Sequence, residues 1–256
     1  MKTLKLYGSS IYIGSLLLVN RDCPLKAEPD EDSLVPLECA RDAAVMERQA
    51  AKMLAKTLSA AGCTNDIAAV SGYRTMREQQ RLYNRSIREN GQRFTQKYVA
   101  IPGCSEHQTG LAVDLALDAD DIDLIRPHFP YEGICQRFRE KAADYGFIER
   151  YPAGSEHITR IAHEPWHFRY VGYPHSRVIT NNRITLEEYT QLIRQHHYQH
   201  NKLAFCDNGL RCEIGFIPLE EDTAAEVTIP EHTAYQLSGN NADGVVVTLW
   251  EISRER

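Results

Sequence analysis

The stretch "SEHQTGLAVDL", Ser105 to Leu115, decides how this chain is read. It sets His107 and Asp114 seven residues apart, with Gly110 between them, and runs into an alternating segment that continues to Leu117. Period two puts Ala112, Asp114 and Ala116 on one face of a strand and Leu111, Val113, Leu115 and Leu117 on the other. Asp114 is therefore a carboxylate inside an apolar strand, and burial is costly unless a cation, an arginine or a metal ion compensates it. An odd separation cannot place His107 and Asp114 on one face of a straight strand. A turn at Gly110 removes the conflict by letting His107 approach from a loop.

Working outward, "HEPWHFRYVGYPH" (His163 to His175) places Glu164 three residues before His167, with Pro165 breaking any helix between them. This is not the helical H-E-x-x-H arrangement of other zinc peptidases. It needs an extended or turned backbone to bring Glu164 beside His167. Two imidazoles and one carboxylate, with a fourth position open, form a catalytic rather than a structural zinc pattern. Zinc lowers the pKa of a bound water to about 7, and Glu164 is the natural base to take its proton. "SGYRTMREQ" adds Arg74 in a glycine-containing turn after a strand, where a guanidinium can neutralise a carboxylate or a developing oxyanion. Each residue also has a plainer reading. Asp114 could pair with Arg74 in a buried salt bridge, His107 could be an ordinary hydrogen-bonded histidine, and Glu164 a solvated loop acid. Trp166 packs in either case.

The composition sets limits. The chain has 256 residues, 43% hydrophobic and 25% charged, as ordinary globular proteins do. A net charge of −6 disfavours general nucleic-acid binding. Seven scattered cysteines with no C-x-x-C suit free thiols in a reducing cytoplasm, although Cys206 and Cys212 are close enough in sequence to pair. "IYIGSLLLVN" is too short to span a bilayer and lacks a cleavage pattern, so it reads as a buried strand of a cytoplasmic protein.

Helical patterns cover 37–62, stopped by Gly62, then 76–90, ended by Gly91, then 131–147, and a segment opening at Thr185 with Glu188 in a capping-box relation. Short strands are expected in "DIAAVSGYR" and "FRYVGY". After about residue 202 the chain turns to strand-like runs separated by turn residues, which predicts a small β appendage. "DADDID" (118–123) lacks the glycine and distant glutamate of a calcium loop and reads as a helix N-terminus. His196 and His200 could be a second metal site at helical spacing, or simply a solvated helix face. His157, His163 and His175 lie close enough in sequence for one of them to orient a ligand. The polar segment 84–98 is either a cap over substrate or a surface connection.

Together "SGYRT…Q", "SEHQTGLAVDL" and "HEPWHFRYVG" resemble, in order and spacing, the VanY/VanX group of zinc D,D-peptidases. "LLLVN" and "QLSGNN…GVVVTLW" resemble the bifunctional VanXY type, so the likeness spans nearly the whole chain. It implies an α+β fold of the Hedgehog/D,D-peptidase kind, with a central mainly antiparallel sheet and flanking helices. With the change of character after about residue 202, the expected domains are a catalytic domain over 1–202 and a β-rich extension over 203–256. By that resemblance His107, Asp114 and His167 are ligands of Zn2+, Glu164 is the catalytic base and Arg74 stabilises the tetrahedral intermediate. Gln79 and Ser105 then help Arg74 hold the dipeptide, and Thr75 stands where serine is common. The implied activity is hydrolysis of D-Ala-D-Ala and removal of terminal D-Ala from UDP-MurNAc-pentapeptide in the cytoplasm, conferring vancomycin resistance, with neither nucleic acid nor a membrane span involved. The competing expectations are a strict D-alanyl-D-alanine carboxypeptidase or muropeptide peptidase and, from another class, a zinc-binding module without turnover.

Overall fold

A computed structural model describes residues 1–207 and 209–251. The chain divides into two compact units, Val19–Thr185 and Met1–Leu18 with Leu186 onward. The second unit begins with β1 (Lys2–Tyr7). The first holds the hairpin β2 (Leu34–Pro36) and β3 (Val45–Glu47), then α1 (Arg48–Ala61), β4 (Ile67–Ser71), α2 (Met76–Asn90) and α3 (Gln92–Tyr98). It continues through β5 (Ala112–Leu117), α4 (Gly133–Ala142), β6 (Phe147–Glu149), the single turn α5 (Glu156–Thr159), β7 (His167–Tyr170) and α6 (His175–Asn182). Its four-stranded sheet runs β4-β5-β7-β6 and every neighbouring pair is antiparallel. The expected α+β architecture is present.

Helix α1 buries Ala50, Leu54, Thr57, Leu58 and Ala61, a stripe at helical spacing. Ala50, Leu54, Leu58 and Ala61 join Val113, Leu115, Phe138, Phe147 and Phe168 in one core. The helix was expected from residue 37 but starts only at Arg48. The Glu47 carboxylate accepts from the N–H groups of Gln49 and Ala50, and the residues before it are drawn into the β2–β3 hairpin. Gly62 closes it in the left-handed conformation, as expected. Helix α2 matches the expected bounds. Thr75 and Glu78 form its capping box, a task serine would perform equally.

The second unit adds α7 (Leu186–Arg194), β8 (Leu203–Asp207), β9 (Leu210–Pro218), β10 (Ala224–Ile229), β11 (Ala234–Gly239) and β12 (Gly244–Trp250). β1 pairs with β10, and the remaining strands form a sheet ordered β11-β12-β9-β8. The β appendage thus recruits the first eighteen residues and α7, so the boundary falls at Leu186 rather than near 202. The strand expected in "IYIGSLLLVN" is absent. A 3-10 turn ends at Tyr12, and the following backbone bonds irregularly to Ser238, Gly239 and Asn240. Leu16 and Leu17 are nonetheless buried.

Three further expectations change. The 118–123 segment begins no helix; the Asp123 carboxylate instead accepts from the N–H groups of Ile125 and Arg126 in a turn. Helix α7 ends at Arg194, so His196 and His200 do not share a helix face. The 84–98 segment holds the end of α2 and the whole of α3, set apart by Gly91. None of the seven cysteines is in a disulfide.

Candidate active site

The site grows from one register pair. Antiparallel pairing sets Asp114 of β5 directly opposite His167 of β7, so their side chains lie side by side on one face. On the other edge of β5, Ser71 of β4 also faces Asp114, after a register shift between Ala69 and Ser71. A 3-10 turn over Glu106–Thr109 brings in His107 and is closed by Gly110 at φ 71°. A Cβ on Gly110 would stand 2.9 Å from the Leu34 side chain, so both backbone angle and space call for glycine. The turn expected at this position is what returns His107 to Asp114.

The ligand atoms of His107, Asp114 and His167 all lie within 4.8 Å of one another. His107 Nε2 is 3.2 Å from Asp114 Oδ2, and His167 Nδ1 is 3.0 Å from Asp114 Oδ1. Donors about 2.0–2.1 Å from one tetrahedral zinc stand roughly 3.3 Å apart, close to the spacing of each histidine from Asp114. Hydrogen bonding agrees with this fit. His107 Nδ1 lies 2.7 Å from the Gly72 carbonyl oxygen, which makes it the protonated nitrogen and leaves Nε2 as a donor atom for a metal. Among the described residues no other such group occurs.

Glu164 returns to the site through a turn. The His167 N–H donates to the Glu164 carbonyl oxygen at 3.1 Å, with Pro165 in the second position, where its fixed φ favours the bend. Glu164 Oε2 is then 3.9 Å from His167 Nδ1. Burial lifts its carboxyl to about 8, with Asp114 and Glu106 adding to the rise against His167 and Arg74. For His167, burial works downward but is outweighed by Asp114 and Glu106, and the ring rises to about 9. Asp114 goes the other way: the two histidines overcome its burial and hold it well below the usual carboxylate range.

Arg74 lies half-buried at the same pocket. Its guanidinium donates to Gln79 Oε1 at 2.7 Å and to Ser71 Oγ at 2.8 Å. The nearest approach to Asp114 is 3.9 Å, longer than either histidine contact, so a simple Arg74–Asp114 salt bridge does not describe the site. Gln79 is buried with both ends of its amide engaged, the nitrogen donating to the Ala100 carbonyl. That geometry orients Arg74. Ser105 lines the pocket, its hydroxyl bonded to none of the described residues. Trp166 is buried in the core and also lines the pocket. From 84–98, Arg85, Ser86, Glu89, Asn90 and Tyr98 form one of its walls.

Sequence reasoning missed Glu106. Its side chain is fully buried and Oε1 accepts from Arg150 Nε and Arg169 Nη1, each at 2.8 Å. Its Oε2 faces His167 Nε2 at 3.5 Å, and neither atom makes a hydrogen bond at that distance. A small closure would make one. Burial opposes ionisation of Glu106, but the two guanidiniums and His167 keep it charged. None of His157, His163 and His175 occupies this position. His163 instead meets Tyr131 and Glu149, and His157 its own turn. Period two along β7 puts Arg169 on the face of His167, the one sequence signal that pointed to the cluster.

A family model described as VanY, D-alanyl-D-alanine carboxypeptidase, matches residues 43–173, which contain all five of Arg74, His107, Asp114, Glu164 and His167. The chain belongs to the VanY family. Among VanY-family relatives, the bifunctional D-Ala-D-Ala dipeptidase and carboxypeptidase VanXYC of Enterococcus gallinarum is 44% identical over 184 residues, covering 72% of this chain and 97% of the relative. The solved structure of the vancomycin-resistance D,D-dipeptidase VanXYg, in complex with a D-Ala-D-Ala phosphinate analog, superposes with a TM-score of 0.93 at 48% identity, over 98% of this chain and 99% of that one. A vancomycin-resistance D,D-pentapeptidase VanY in complex with Zn(II) matches with a TM-score of 0.56 and 30% identity, over 69% of this chain and 98% of that one. The VanXYg likeness extends through the β unit, whereas the VanY likeness covers a share close to the catalytic unit alone.

Proposed function

We propose that this chain is a zinc-dependent D,D-dipeptidase and D,D-carboxypeptidase that hydrolyses D-Ala-D-Ala and removes terminal D-Ala from UDP-MurNAc-pentapeptide in the cytoplasm, and so confers vancomycin resistance. The observation that carries this reading is the meeting of His107, Asp114 and His167 with the Glu164 carboxyl in one pocket that Arg74 also lines. A zinc ion held by the trio supplies Lewis-acid polarisation of the scissile carbonyl and a water acidified to about pKa 7. Glu164 takes a proton from the attacking water and passes it to the amide nitrogen as the C–N bond breaks, work worth roughly 10²–10⁴ in rate. The Arg74 guanidinium, oriented by Gln79 and Ser71, faces the oxyanion; losing such a donor costs about 10²–10³. Ser105 offers its hydroxyl to the dipeptide. Glu106 Oε2 stands behind His167 Nε2 at 3.5 Å, where a small closure would let it orient the ring.

A zinc-binding module without turnover has no need of a buried carboxyl beside its metal, and Glu164 is one. The cytoplasmic assignment is supported by seven cysteines of which none is in a disulfide. No helix among the described residues is long and apolar enough to cross a membrane. The test is D-Ala release from D-Ala-D-Ala and from UDP-linked pentapeptide, with and without chelator. Release from both, abolished by chelation and restored by zinc, is expected. Release from neither, or release indifferent to chelator, contradicts the proposal.

A further inference from the structure

Helix α2 carries Arg81, Arg85 and Arg88 at i, i+4 and i+7, a single stripe on its surface. All three are exposed, and none makes an ion pair or hydrogen bond among the described residues. A row of like charges at this spacing costs the helix a few tenths of a kcal/mol per pair, in a chain whose net charge is −6. The row lines a groove of about 640 Å³ that shares Arg74, Leu82, Arg85 and Leu124 with the catalytic pocket. Only one acid, Glu78, lines that groove, and its carboxylate is already bonded to the Thr75 N–H and hydroxyl. Leu124, 69% exposed, forms an apolar lip where pocket and groove join.

We propose that this groove binds the anionic part of a longer substrate on the N-terminal side of the scissile bond, through carboxylate or phosphate groups. The proposal rests on the peptidase reading above and deepens it. From Arg81 to Arg88 the helix advances about 10 Å, the reach of roughly three extended residues. A free dipeptide is short enough to stay within the catalytic pocket, which Arg85 lines but Arg81 and Arg88 do not. A precursor that continues beyond the terminal D-Ala-D-Ala must leave through an opening, and this one is positively charged. The groove therefore serves the carboxypeptidase activity and is idle in the dipeptidase activity.

The test compares the wild-type chain with R81E/R88E and with the milder R81Q/R88Q. Both sites are exposed, so folding is not at risk. The expected result is a KM for UDP-linked pentapeptide raised about tenfold or more in R81E/R88E and less in R81Q/R88Q, with kcat/KM for D-Ala-D-Ala within twofold of wild type. The defect should shrink at high ionic strength, as it does for exposed charges. A pentapeptide without the nucleotide separates the sources: an equal rise assigns the anion to a peptide carboxylate, and no rise assigns it to the diphosphate. Unchanged KM for both pentapeptides overturns the proposal. So does an equal loss on dipeptide and pentapeptide, since the stripe would then read the terminal carboxylate that both share. Calorimetric binding of the UDP-linked pentapeptide needs no turnover. It tests the groove even if the wild-type chain hydrolyses neither substrate, the result that defeats the peptidase reading alone.

Discussion

Replacing Glu106 by glutamine separates its two tasks from simple packing. The substitution keeps the shape and an acceptor oxygen but removes the charge that Arg150 and Arg169 share at 2.8 Å, where all three side chains are fully buried. Breaking a buried ion pair by neutralising one partner costs about 3–5 kcal/mol, because the remaining charge loses its compensation in a low-dielectric interior. The retained amide oxygen recovers part of that, so Glu106→Gln is expected to lose about 2–4 kcal/mol of unfolding free energy. Urea denaturation at neutral pH measures it as a lower midpoint with an unchanged slope. The same substitution removes the negative charge that faces His167 Nε2 at 3.5 Å. Groups that orient a ligating histidine typically contribute 10–100-fold in metal affinity, so the zinc dissociation constant should rise by about that factor. A variant within about 0.5 kcal/mol of wild type, with unchanged zinc affinity, would refute the reasoning on both counts.

Three further outcomes are expected. His107→Ala, Asp114→Ala and His167→Ala should each lose bound metal by elemental analysis, since each removes one donor of a three-residue set; full metal content in any of them would remove that residue from the set. Gly110→Ala combines a left-handed φ of 71° with a 2.9 Å contact to Leu34, and should cost about 1–3 kcal/mol in thermal or urea unfolding. His175 is buried, and burial pushes it from 6.5 down to about 3. The unfolded chain therefore binds the extra proton between those values. Stability from this group is complete above pH 6.5 and falls as pH drops, by about 2–3 kcal/mol on reaching pH 4.5. His175→Gln should flatten that part of the stability–pH curve, and an unchanged slope would count against it.

Much of the catalytic unit was legible because its signals are local. The alternation through Asp114, the left-handed turn at Gly110 and the Pro165 bend each follow from backbone rules acting within a few residues. Helix α2 was bounded by Thr75 and Gly91 for the same reason. What stayed hidden depends on contacts distant in sequence. The pairing of β1 with β10 moved the first eighteen residues into the β unit, and nothing local in "KTLKLY" names that partner. Leu16 and Leu17 are buried as their composition suggests, but their backbone meets the 238–240 segment irregularly rather than in a ladder. Residues 37–47 carry helix-forming side chains, yet the Glu47 cap and the β2–β3 pairing override that propensity. Glu106 has no local sequence signal of its own. Only the fold brings Arg150 and Arg169 to it across 44 and 63 residues.

The most direct test of the account is turnover of D-Ala-D-Ala by Glu164→Ala prepared with its full complement of zinc. The structure places this carboxyl beside the metal trio without making it one of the three donors. The variant should therefore retain zinc as tightly as wild type while kcat falls by roughly 10²–10⁴. Wild-type hydrolysis by the zinc-replete variant would contradict the role assigned to Glu164.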